Sequence, residues 1–164
     1  MTDNSMRLKT YLNVAAIFGF LVVLLAFGIE RAVAAEPRLG LKGYDPVAYF
    51  TLGQPTKGND TFQDIFEDVR YHFVSAKHLE MFRADPDKYA PRYTGLCAMG
   101  LGVKGYKVEA NPKNWVIHKG QLYLTQRSFG PPLFRKAPER WSEAAHKHVQ
   151  VLKDAPIGSG ISWW

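Results

Sequence analysis

Val69-Arg70-Tyr71-His72-Phe73-Val74-Ser75-Ala76-Lys77-His78-Leu79-Glu80-Met81-Phe82-Arg83 changes its period halfway along, and that change decides the fold class. Residues 69–74 alternate, with Tyr71 and Phe73 on one face of a strand and His72 on the other. Ser75 then offers a side-chain oxygen to the first turn of a helix, and Leu79 and Phe82 recur at helical spacing up to about Arg83. A strand feeding a capped helix, with an aromatic face on each, predicts an α+β domain in which helices pack on a small antiparallel sheet.

The flanking segments extend this reading. Thr61 to Phe66 pairs with the strand through a tight acidic turn at Glu67-Asp68. Gly43 to Phe50 is a turn feeding a short aromatic strand or helical turn, and Gly53 to Asp60 is a loop. Pro86 suits the first turn of a second short helix, which Pro91 stops. Gly105 to Glu109 alternates like a strand. Trp115-Val116-Ile117 and Gln121-Leu122-Tyr123-Leu124 flank a turn at His118-Lys119-Gly120, a hairpin signal. Pro131-Pro132 is read as a break, and Pro138 as the start of an amphipathic helix with Trp141, Ala145, His148 or Val149, and Leu152 along one side. The glycines at 95, 100, 102 and 105 are read as tight turns. Neither repeats nor low-complexity segments are present.

The first 35 residues have a different character. Arg7 and Lys9 precede an uncharged, almost wholly apolar run from Tyr11 to Ile29, followed by Glu30-Arg31 and Ala32-Val33-Ala34-Ala35. A basic start, an apolar core and a small-x-small site describe a secretory signal peptide. The run is also nearly long enough to span a bilayer, which fits a retained transmembrane helix. Both readings export the remainder, placing it in a periplasm either soluble or held by an N-terminal anchor. The expected organisation is leader or anchor over 1–35, one domain over 40–152 and a tail over 153–164.

The chain carries 21 Lys and Arg against 15 Asp and Glu. Without residues 1–34 it loses three bases and two acids and stays at about +5. The bases are dispersed, so the balance suits a solvated surface with some affinity for anionic membranes and argues against nucleic acid. With 8 Tyr, 10 Phe and 4 Trp, a core can form without disulfides. Only one cysteine is present, Cys97, so no internal disulfide, CxxC pair or all-thiolate zinc site can form. The sequence after Cys97 is not a haem attachment motif, and no glycine pattern matches a nucleotide-binding loop. HExxH is missing as well, and Asp45, Asp64 and Asp68 lie near turns, where aspartate favours local hydrogen bonds. No catalytic residue is assigned, and the chain is expected not to be an enzyme.

The ordered set Gly43-Tyr44-Asp45-Pro46-Val47-Ala48-Tyr49-Phe50, Tyr71-His72-Phe73-Val74-Ser75-Ala76-Lys77-His78, Gly95-Leu96-Cys97-Ala98 and Trp115 to Leu124 resembles the YHS-domain family, in its exported bacterial branch, over residues 40–152. The resemblance implies a small module of copper- and heavy-metal-handling proteins. It also implies that metal ligands sit at three positions which here hold Ala48, Val74 and His78 in place of cysteines; of these only His78 can coordinate a metal. A soft ion such as Cu(I) accepts thiolate, thioether and imidazole. Cys97, His78 and Met81 or Met99 supply those donors, and His78 and Met81 are three apart on one helical face. The expected function is soft-metal binding, copper first. The alternative is a metal-free accessory module that binds a protein partner at or near the membrane, with Trp163-Trp164 of the tail available for a partner or a membrane surface.

Overall fold

The computed structural model describes residues 36–161. The expected leader or anchor (1–35) and the tryptophan pair at the C-terminus lie outside the described residues. Among the described residues no helix is long and apolar enough to cross a membrane.

The architecture is α+β. Strands β1 (Arg38–Leu39), β2 (Asn59–Phe66) and β3 (Val69–Phe73) form one sheet in the order β1-β3-β2, and β4 (Asn111–His118) with β5 (Gln121–Thr125) forms a separate hairpin. All pairs are antiparallel except the two-residue β1, which runs parallel to β3. Among the described residues there are six α-helices: α1 (Ala48–Thr51), α2 (Ala76–Ala84), α3 (Pro86–Tyr89), α4 (Ala98–Lys104), α5 (Gly130–Lys136) and α6 (Pro138–Val151).

The period change forms as the sequence predicts. Val69, Tyr71 and Phe73 are buried on the inner face of β3, and the Ser75 hydroxyl accepts the His78 N–H to cap α2. Phe82 of α2 then stacks against Phe66, Tyr71 and Phe73, with ring centroids 5.0–6.0 Å apart. Hairpin residues Val116, Leu122 and Leu124, together with Phe134 of α5, close this core. A smaller core of Leu96, Leu101, Ala145 and Leu152 sits between α4 and α6.

Three expectations about elements change. Residues 98–104 are a helix rather than a series of tight turns. Gly100 and Gly102 serve close packing there: a Cβ on Gly102 would lie 2.8 Å from the Trp141 carbonyl oxygen of α6, and one on Gly100 2.8 Å from Val108. Pro131 and Pro132 open α5, where a missing N–H costs nothing. Residues 105–109 make isolated bridges, pairing Tyr106 with Gly160 and Glu109 with Leu96, instead of a strand. The described part of the tail is laid along this segment: Gly158 N–H donates to the Lys107 carbonyl, Lys107 N–H to Ser159 and Ile161 N–H to Gly105. The Lys107 ammonium donates to the carbonyls of Leu152, Lys153 and Ala155, which places a cation on the C-terminus of α6.

Two left-handed turns set the geometry between the sheet and the hairpin. Leu41, Lys42 and Gly43 have φ of 50, 51 and 78°, and Tyr93, Thr94 and Gly95 have φ of 59, 52 and 84°. Each turn is closed by the same bond, Tyr44 N–H to the Leu41 carbonyl and Leu96 N–H to the Tyr93 carbonyl. They pack together, since a Cβ on Gly95 would lie 3.3 Å from the Leu41 side chain, and Arg38 donates to the Thr94 carbonyl. Only the third residue of each turn is glycine, so four side-chain-bearing residues each carry a cost of about 1–2 kcal/mol. Lys42 is exposed, so Lys42→Gly relieves strain without opening a cavity. That variant is expected to be more stable by about 1 kcal/mol, read as a higher urea midpoint; a lower midpoint would show that the Lys42 side chain contributes more than its backbone costs.

Candidate functional site

The motifs at 43–50 and 71–78 meet at one carboxyl group. Asp45 is wholly buried. Its Oδ1 accepts the N–H groups of Val47 and Ala48 at 2.7 and 3.2 Å, which starts α1. Its Oδ2 accepts the Val74 N–H at 2.9 Å and His78 Nδ1–H at 2.6 Å. Three backbone N–H groups and one imidazole nitrogen thus converge on the carboxyl group. His78 Nε2 lies 3.2 Å from Thr51 Oγ1, and that hydroxyl donates to the Val47 carbonyl at 3.1 Å. The Thr51 hydroxyl therefore sits between the His78 ring and the Val47 carbonyl. The local bonding expected of Asp45 is present through Oδ1. The long-range bonds through Oδ2 went unrecognised. An aspartate before Pro46 and a histidine three residues after the Ser75 cap were the signals available.

Asp45, His78 and Thr51 have the connectivity of a nucleophile relay. The hydroxyl, however, is turned onto the backbone of its own helix.

Cys97 is elsewhere in the fold. It is 4 % exposed and precedes α4, with Sγ accepting the N–H groups of Gly100 and Gln126, each at 3.2 Å. Its own N–H donates to the Val108 carbonyl. The sulfur therefore caps α4 and ties it to the end of β5. Met81 is half-buried against the main core, as is Phe66, and Met99 is buried in it. His78 and Met81 share α2, but the partners of His78 come from residues 45 and 51 and those of the Cys97 sulfur from 100 and 126. Among the described residues no group of three or more His, Cys, Asp or Glu is arranged to hold a metal ion.

A cleft of about 740 Å³, in the range of ligand sites, opens beside α6. The strained turn Tyr93-Thr94 and Leu96 form one wall, and Glu67 and Asp68 of the β2–β3 turn form another. Helix α6 and the residues after it present His146, Val149, Gln150 and Lys153, spaced i, i+3, i+4 and i+7, so one helical stripe faces the opening. A neighbouring stripe holds Trp141, Ala145, His148 and Leu152, the spacing read from the sequence, and packs toward α4, with His148 Nδ1–H donating to the Leu101 carbonyl at 2.6 Å. Arg92, Lys107 and Lys153 balance Glu67, Asp68 and Asp154 around the rim. No family model, curated protein or solved structure matches the chain.

Asp45→Ala leaves three backbone N–H groups and a histidine without an acceptor, so a loss of about 3 kcal/mol or more in urea unfolding is expected. His78→Asn, whose amide can still donate to Oδ2, should cost clearly less than His78→Leu; equal losses would mean that the bond to Asp45 contributes nothing. Burial pushes the Tyr93 hydroxyl up to about 12, with Tyr123 adding to the rise and Arg92 opposing it. Burial raises Tyr49 and Tyr71 further. Because these groups stay protonated in the fold when the unfolded chain ionises, their contribution is intact below about pH 10 and is lost as pH rises through about 12. Unfolding midpoints measured across that window should fall, and the fall should be shallower in Tyr93→Phe.

Proposed function

We propose that this chain is an exported, YHS-like accessory module, non-catalytic and metal-free, that binds a segment of a partner protein at or near a membrane. One observation carries the reading: the cleft between α6 and the Tyr93-Thr94 turn is walled by residues held in a costly left-handed conformation. Such strain persists where surrounding structure enforces it, and it concentrates at ligand clamps. Mixed charge on the rim and the apolar side chains of Leu96 and Val149 suit a polypeptide, which offers charged, amide and apolar groups together.

The donors for a copper site are engaged elsewhere. A soft ion at His78 would have to displace Asp45 or Thr51, and one at Cys97 would have to displace the N–H groups that the sulfur accepts. The Asp45–His78 bond also supports the YHS-like reading, since it joins two of the segments that carry the resemblance.

Two measurements test the proposal. Anaerobic Cu(I) titration against a competing chelator, beside Cys97→Ala and His78→Ala, is expected to show no tight one-to-one binding. Such binding, weakened by both substitutions, would return the chain to copper handling. A photoreactive phenylalanine at position 150, inside the cleft, should give a discrete adduct in the native cell envelope that Arg92→Glu abolishes. A photoreactive residue at the exposed position 52 should give none. Identical adducts from both positions, or none from 150, would remove the cleft as the binding surface.

A further inference from the structure

The sheet has two faces, and among the described residues only one is packed against the core. Val69, Tyr71 and Phe73 of β3 point into the core, so Arg70 and His72 point outward. The register places Leu39 of β1 and Ile65 of β2 on either side of Arg70, in a single rung across the sheet. Paired residues share a face, so all three side chains stand on the outer side. Leu39 is 45 % exposed and Ile65 53 %, and Gln63 is the partner of His72 in a neighbouring rung. The Leu39 side chain, the Lys57 ammonium and His72 Nδ1 all come within 3.6–3.7 Å of the point where a Gly43 Cβ would lie. Leu39 is thus bordered by Lys57 and His72 and is followed across the row by Arg70. The acids Glu67 and Asp68 line the cleft.

We propose that this outer face rests on an anionic membrane surface, with Leu39 and Ile65 at the headgroup boundary and Lys57 and Arg70 toward lipid phosphates. The inference rests on the membrane-proximal part of the function proposed above and names the surface that serves it. Two aliphatic side chains among bases match the chemistry of peripheral membrane contact. A protein interface of ordinary size carries an apolar core with aromatic anchors, and these rungs present no aromatic side chain. Chain length adds a second constraint. Eight residues separate the end of the apolar run at Ile29 from Arg38, a reach of at most roughly 30 Å. If that run lies in a bilayer, the sheet begins within that distance of it.

The test uses the full chain in nanodiscs of phosphatidylcholine alone or mixed with phosphatidylglycerol. Gln63→Cys is labelled with a membrane-impermeant maleimide, Cys97 being buried, and Lys113→Cys on β4 is the control. Labelling at 63 should slow by about tenfold in the phosphatidylglycerol discs, return to the control rate in Gln63→Cys/Ile65→Glu, and stay unchanged at 113. Equal labelling at 63 in both discs, with the protein retained in them, overturns this surface and leaves the cleft reading to its own crosslink. Protection that persists equally in phosphatidylcholine discs and in detergent would assign the face to a protein contact and overturn the proposal. Failure of the chain to remain with either disc overturns the membrane reading and this surface together.

Discussion

One carboxyl group with four donors organises the first half of the domain. Asp45 has no access to water, so each oxygen must be satisfied internally, and the four donors come from three local elements. Oδ1 starts α1, while Oδ2 fixes the end of β3 and the ring on the first turn of α2. The strand-to-helix junction at Val74-Ser75 is therefore held twice, by Ser75 capping from within and by Asp45 from across the fold. A buried acceptor of this kind specifies geometry more strongly than it adds net stability, because every alternative packing leaves it partly unsatisfied. The aromatic stack on Phe82 depends on the α2 orientation that this junction sets.

Strain is distributed differently. The two left-handed turns lie back to back beside this network, and packing against one another holds both in place. Leu41 is buried beneath Gly95, so the first turn cannot relax without opening the core. The second turn then presents Tyr93 and Thr94 to the cleft in a fixed conformation. A wall that cannot move is preorganised, and a partner loses less entropy on meeting it.

The hydrophobic period made the α+β class, β2, β3, α2, α3, the hairpin and α6 legible in the sequence. Those elements depend on side chains within a few residues of one another. The misread elements depend on distant neighbours. The glycines of α4 resemble turn residues until the Trp141 carbonyl of α6 approaches Gly102. Leu-Lys-Gly and Tyr-Thr-Gly share only a terminal glycine, so nothing local announces that both turns are left-handed. Cys97, His78 and Met81 were legible as metal donors by type, but not by what they touch. Asp45, the partner that fixes His78, was read only as a turn former, because its second oxygen acts 29 and 33 residues away.

The single cysteine illustrates why donor type alone is a weak guide. A metal ligand needs a lone pair facing open space, whereas the Cys97 sulfur faces two backbone N–H groups, one at the start of α4 and one beyond β5. In that position sulfur does the work usually given to a serine or aspartate oxygen at a helix start. His78 is similar: its two nitrogens link a buried carboxyl group to a hydroxyl near the surface. Both residues are used by the fold itself, and the surfaces left for recognition are those the core does not need: the outward stripe of α6 and the outer rungs of the sheet. These surfaces have opposite characters, one a concave wall of mixed charge and the other a flat row of aliphatics and bases.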